Sequence, residues 1–247
     1  MNYFLDTTET IPDNVGFSMF GGIHIAWLVF FLIVVVINCF LYNSLQLKGR
    51  CIWRKVVAGL IVLDELFKMA MLAFGNRYTL SYLPLHLCSI NIFIIAIYTF
   101  KPNTTIGAFL YTVCIPGALA ALIFPSWSSL PFGNFMHMHS FTVHILLALY
   151  PIVLCVGGDI KVDVKSIPKC LLMLVCMAIP IYIVNLLLDT NFMFLMYADE
   201  GNPLQIFKQL WGSHLLGYPV IIAGVLIVMY MPVLIFKKIS EKRKPPV

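Results

Sequence analysis

Seven runs of about 20 apolar residues dominate this chain, near 22 to 43, 56 to 75, 82 to 100, 105 to 124, 137 to 156, 170 to 189 and 214 to 236, and each matches the length a helix needs to cross a hydrocarbon core about 30 Å thick. Inside such a core a backbone has no water to bond, so a segment of this kind closes its hydrogen bonds internally as a helix. The sequence therefore predicts an all-α polytopic transmembrane helix bundle of about seven spans, forming a single transmembrane domain over 1–247. Between the runs lie short breaks rich in Gly, Pro, Asn or charge: LKGRCIWRK at 47 to 55, GNRYT at 75 to 79, KPN at 101 to 103, FPSWSSLPFGNFM at 124 to 136, GGDIKVDVKSIPK at 157 to 169 and ADEGNPLQIFKQ at 198 to 209. None is long enough for a second, soluble domain.

Composition removes the rival classes. The chain is 61% apolar and 11% charged, against roughly 25% charged in a soluble domain. A net charge of +5 invites a nucleic-acid reading, but the basic residues sit in short segments beside the apolar runs, which is the pattern of topology. Placing successive breaks on alternate sides puts thirteen lysines and arginines on the carboxyl-terminal side, including Lys48, Arg50, Arg54, Lys55, Lys101, Lys161, Lys165 and Lys169, and only Arg77 and Lys208 on the other. Lys68, inside helix two, completes the total of 16. The positive-inside rule then predicts an amino terminus outside, a carboxyl terminus in the cytoplasm and a multi-pass protein of the cell membrane. The basic KKISEKRK near the end reads as an anchor on anionic headgroups.

The first 15 residues carry Asp6, Glu9 and Asp13 without Lys or Arg, so no cleaved secretory leader is expected. Seven cysteines, five within apolar runs, imply no disulfide framework. Pro116 and Gly117 make helix four the span expected to kink. The aromatic stretch 190 to 213 is expected to lie at the outer interface as a short helix or lid.

Ionisable groups at membrane depth are costly, about 2.5 to 3.5 kcal/mol on insertion scales, and so are functional candidates. All six histidines, His24, His86, His137, His139, His144 and His214, fall in the outer third of their predicted helices. With a rise of 1.5 Å per residue, Cys88 and His144 lie about 9 and 10 Å from the outer ends, with His86 and Asn185 at about 6 Å. Cys88 and Asn91 share one face of helix three, while His86 and Ser89 share the opposite one, so helix three is expected to be central and any histidine serving Cys88 to come from another helix. His144 is the best match. A cysteine and an imidazole in an apolar, outward-opening pocket form a nucleophile and base. Helix two adds Asp64, Glu65 and Lys68, an ion pair organising the bundle or a proton relay, with Asp64 and Lys68 at i, i+4 and one carboxylate in surplus that could meet a histidine. The spacing in MHMHSFTVH does not put three imidazoles on one face, so no metal is expected, and no cofactor is implied.

In order along the chain, GxHxxW at 22 to 27, LPLHLCSI at 83 to 90, PGALAALIFP at 116 to 125, the His-rich start of helix five and NLLLDTNFMFL at 185 to 195 resemble the bacterial YwaF-type integral membrane proteins over nearly the whole chain. That family is distantly similar to animal multispan proteins, one of which is an acyltransferase moving fatty acyl chains onto lyso-ether phospholipids with a cysteine and a histidine. The animal cysteine follows a proline and precedes a histidine, a place held here by Leu85. The resemblance implies His86 for the motif histidine, Cys88 in place of the nucleophile, and His139 or His144 for the second histidine.

Two functions follow. The first is a lipid acyltransferase or acyl hydrolase in which Cys88 carries the acyl group, His144 or His86 is the base, and Asn91 or Asn185 faces the oxyanion, with His24, His139 and His214 lining the substrate site. The second is a transporter, channel or receptor using Asp64, Glu65 and Lys68 beneath the histidines. Membrane lipid is the expected solvent and substrate, nucleic acid is not expected, and a protein partner would be a second copy or a membrane-complex subunit.

Overall fold

The computed structural model describes residues 3–198 and 202–242, all-helical with no strand among them. Among the described residues nine α-helices follow in order: α1 (Gly22–Ser44), α2 (Leu47–Phe74), α3 (Leu87–Phe100), α4 (Thr104–Phe109), α5 (Ile115–Ile123), α6 (Phe135–Val156), α7 (Ile167–Leu188), α8 (Leu204–Trp211) and α9 (Gly217–Lys242). Among the described residues six segments are long and apolar enough to cross a membrane, and α4 and α5 make one of them together. Residues 199–201 of the sixth break, and Arg243 and Lys244 of the basic tail, lie outside the described residues.

Two helices differ from expectation for identifiable reasons, and a third is interrupted where Pro116 predicts. The LKGRCIWRK break is the first part of α2. Leu, Lys and Arg are good helix formers, and its arginines have a partner within the bundle. Helix three begins at Leu87 rather than 82. Pro84 disfavours a helical residue before it, and Leu83 is extended at ψ 142. Between α4 and α5 the expected kink takes the form of a π-helical stretch, Leu110–Cys114. Pro116 has no N–H for the carbonyl four residues back, and a widened turn absorbs that loss.

The centre is α6, not α3 as the polar faces of helix three suggested. Two thirds of its apolar window (67%) is buried, against 28% for Leu80–Phe100 and 11% for α1. It touches α1, α2, α3 and α5. The 28-residue α2 buries one stripe, Trp53, Val57, Ile61, Glu65, Lys68 and Leu72, at the three- and four-residue spacing of a single helix face. Its opposite face shows Val56, Leu60, Leu63 and Phe67. Its charges in the middle of the helix thus turn inward and its apolar residues outward.

Polar locks close both ends. At one, Asp159 from the α6–α7 loop accepts Tyr42 Oη at 2.9 Å and pairs with Arg50 at 3.5 Å and Arg54 at 3.7 Å. Arg50 also donates to the Gly157 carbonyl, 2.8 Å away. At the other, the Asn134 amide donates to the carbonyls of Tyr3 and Asp6 at 2.6 and 2.9 Å, folding the amino-terminal segment over the start of α6. Phe17 N–H bonds the Ser128 carbonyl there at 2.8 Å, and a Cβ on neighbouring Gly16 would sit 2.1 Å from that oxygen, so only glycine fits this approach.

Candidate functional site

The first turn of α3 lies at the histidine-rich end without a cap. His86 is its extended N-cap residue, and its side chain makes no capping bond. The N–H groups of Leu87 and Cys88 have no hydrogen-bond acceptor among the described residues, and the Ser89 N–H faces the Cys88 thiol. Such groups are costly in a water-free interior and form a ready anion or oxyanion site. Cys88 is the second residue of this turn, and Asn91 follows three residues on. Asn91 is buried, at 3% exposure, and its Oδ1 has no partner.

Beside this turn runs a chain of charged groups. Lys68 Nζ donates to Glu65 Oε1 at 2.6 Å, and Ser89 Oγ donates to the same oxygen at 3.4 Å. His139 from α6 closes the chain, with Nε2 3.9 Å from Glu65 and Nδ1 2.8 Å from Asp64 Oδ2. That short contact is not aligned with the N–H, so neither atom completes a hydrogen bond. Lys68 therefore pairs with Glu65, not with Asp64, and the surplus carboxylate meets the histidine. Cys88 and His86 are within Coulombic reach of both Lys68 and Glu65, and His144 within reach of His86, His139 and Lys68.

Hydrogen bonding separates the six histidines. His24 accepts Phe20 N–H on Nδ1 at 2.9 Å, so Nε2 carries the proton it gives to the Leu122 carbonyl at 2.7 Å. His137 accepts Trp27 Nε1–H at 3.0 Å and donates Nδ1–H to the Leu130 carbonyl at 3.0 Å. Both rings are saturated and pin helices. His214 donates to the Phe194 carbonyl at 3.1 Å, and Tyr218 Oη donates to the Met193 carbonyl at 2.6 Å. His144 donates Nδ1–H to the Ser140 carbonyl at 2.7 Å and stacks on Trp127, with ring centroids 5.1 Å apart and planes 14° apart. Its Nε2 has no partner among the described residues. His86 likewise makes no side-chain hydrogen bond there, and lies edge-on to Phe192 at 5.2 Å.

The 190–198 turn forms a cover at this end. Asn185 holds it fully: Nδ2 donates to the Phe192 carbonyl at 3.0 Å, while Oδ1 accepts from Thr190 Oγ1 at 3.0 Å and Phe192 N–H at 2.8 Å. Met193 and Phe194 adopt positive φ of 57° and 54°, which non-glycine residues keep only when held.

The structure thus groups His86, Cys88, His139 and His144 around Asp64, Glu65 and Lys68, with Asn91 three residues after Cys88 on α3. It gives Asn185 and His214 to the cover and His24 to an α1–α5 contact. Cys88 makes no hydrogen bond to an imidazole among the described residues. Ser89 and Trp127 belong to the group although sequence did not single them out as site residues. Ser89 faces Glu65 only once α2 and α3 pack, and Trp127 comes from a loop whose spacing carries no signal. The Trp127 indole N–H is buried with no acceptor among the described residues. Among the described residues no three His, Cys, Asp or Glu side chains converge as metal ligands.

The family model described as the TMEM164 family matches residues 19–232. No curated protein and no solved structure gives a significant match.

Proposed function

This chain belongs to the TMEM164 family, and on that premise we propose that it is a cell-membrane enzyme transferring or hydrolysing lipid acyl chains, with Cys88 as nucleophile and His144 as base. Membership carries the membrane-spanning character, and the chemistry is read from the side chains. The observation that supports it is the uncapped first turn of α3, where the N–H groups of Leu87 and Cys88 have no acceptor among the described residues and that of Ser89 faces the thiol. Donors fixed where negative charge develops are among the largest contributions to acyl-transfer catalysis.

In the first half-reaction the Nε2 of His144 takes the thiol proton of Cys88. The thiolate adds to the ester carbonyl of a phospholipid, whose oxyanion lies against the α3 N–H groups and the Asn91 amide. The ester C–O bond breaks, and the departing alcohol takes the proton from the imidazolium, leaving an acyl thioester. In the second half, a lysolipid hydroxyl or water gives its proton to Nε2 while its oxygen attacks the thioester, and the thiolate leaves to be reprotonated. Bonds of this kind are commonly long in unliganded enzymes and tighten in the complex. Lipid turnover by the purified, reconstituted chain, native against Cys88→Ala, tests the assignment.

The topology belongs to the same proposal: α2 is the seventh span, since its exposed middle is apolar, and the thirteen-to-two distribution of basic residues puts the amino terminus outside. The site then opens toward the outer leaflet.

One observation favours a second reading, a transporter, channel or receptor. Asp64, His139, Glu65 and Lys68 line up as four titratable groups inside the bundle, with Lys68 and Ser89 hydrogen-bonded to Glu65 and His139 2.8 Å from Asp64 and 3.9 Å from Glu65. This reading requires solute or proton flux in proteoliposomes that collapses in Asp64→Asn or Glu65→Gln, with lipid composition unchanged.

A further inference from the structure

The opposite end of the bundle, away from the histidines, carries a second concentration of unpaired groups. A depression of about 380 Å³ is lined by Lys161, Lys165 and Lys169, by Thr104, Thr105 and Ser166, and by Asp163. The residues come from the α6–α7 loop, the start of α7 and the start of α4, some 60 positions apart in sequence. The one carboxylate on the wall, Asp163, accepts the Lys165 backbone N–H at 3.1 Å, and none of the three ammonium groups is ion-paired among the described residues. Topology alone asks for basic residues near the membrane surface, and does not ask that three of them converge with three hydroxyls on one hollow. The Asp163 carboxylate offsets one of the three charges, and the remaining surplus is repulsive unless a further anion lies among them.

Across the 101–103 turn lies a second depression, also about 380 Å³, lined by Ala96, Ile97 and Phe100 with Lys101 at its rim. A shallow apolar surface next to a cationic hollow matches an acyl chain and a phosphate in one molecule. We propose that this end of the chain binds an anionic phospholipid, its headgroup phosphate among Lys161, Lys165 and Lys169 and a chain along Ala96, Ile97 and Phe100. The site is separate from the acyl-transfer site and does not depend on that reaction.

The test uses the full chain in nanodiscs of phosphatidylcholine and phosphatidylglycerol, followed by native mass spectrometry of retained lipid. Wild-type protein retains phosphatidylglycerol in preference to phosphatidylcholine. K161Q/K165Q/K169Q loses that preference by tenfold or more, whereas K48Q/K55Q, which removes two exposed lysines outside the hollow, keeps it. Lys165→Gln alone, expected to lower it several-fold, keeps the result readable should the triple variant not fold. Inorganic phosphate is tested on the same proteins by thermal shift. Phosphate-dependent stabilisation abolished by the triple change, without any preference for phosphatidylglycerol, would overturn the lipid and leave free phosphate as the ligand. Equal retention in wild-type and triple variants, with no phosphate-dependent shift, overturns the site.

Discussion

His144 gives its Nδ1 proton to the Ser140 carbonyl, 2.7 Å away and one turn earlier on the same helix. A carbonyl can only accept, so the ring is the Nδ1–H tautomer and its Nε2 bears the lone pair. The bond is local to α6, which separates the reactivity of this nitrogen from the stability of the bundle. His144→Gln should therefore lower lipid turnover by about 10² or more, the usual contribution of a positioned general base, with little change in melting temperature. His24→Ala, which removes two bonds joining α1 to its surroundings, should do the reverse. Equal loss of folding in both variants would show that His144 is merely structural.

The buried pair on α2 predicts a double-mutant signature. Lys68 and Glu65 side chains are each 8% exposed, so removing one leaves an uncompensated interior charge, at a cost of about 3–5 kcal/mol. Lys68→Met should destabilise the protein strongly in denaturant titrations, and the double Glu65→Gln/Lys68→Met should recover most of the loss. A double variant as unstable as the sum of the singles would exclude direct coupling.

The cover over His86 hangs on one side chain. Asn185→Ala deletes three hydrogen bonds to residues 190 and 192, worth about 1–3 kcal/mol where buried groups are left unmatched. Limited proteolysis should then cut within 190–198 much faster than in the native chain. An unchanged cleavage pattern would mean that His214 and Tyr218 hold the turn unaided.

Asp159 predicts a smaller effect at the other end. Its pairs with Arg50 and Arg54 involve side chains about one fifth exposed, so solvent screening limits Asp159→Asn to about 1 kcal/mol of lost stability. A loss comparable to that of Lys68→Met would mean that this lock is far drier than its exposure indicates.

What sequence made legible was whatever depends on local pattern. The span of α1 follows from an uninterrupted apolar run, and the softness of the fourth helix from Pro116. The late start of α3 was also latent in Pro84, whose effect on Leu83 is local, but the apolar run continues across it and masks the break. Partner choice was not legible: helical spacing allows Lys68 to meet Asp64 or Glu65, and only the packing of His139 from α6 and Ser89 from α3 decides. The centrality of α6 depends likewise on which helices surround it. The division of histidines into saturated and free rings rests on carbonyls as remote in sequence as Leu122 from His24, which no periodicity records.

The most direct measurement follows a labelled acyl chain. Reconstituted protein is incubated with a phospholipid carrying a labelled ester-linked chain and an unlabelled lysophospholipid, then quenched and analysed by mass spectrometry. Label is expected in a new phospholipid or free fatty acid, together with a hydroxylamine-sensitive acyl group on the peptide containing Cys88. Both should vanish in Cys88→Ala, whose melting temperature should stay near the native value. Full turnover in Cys88→Ala would contradict the account.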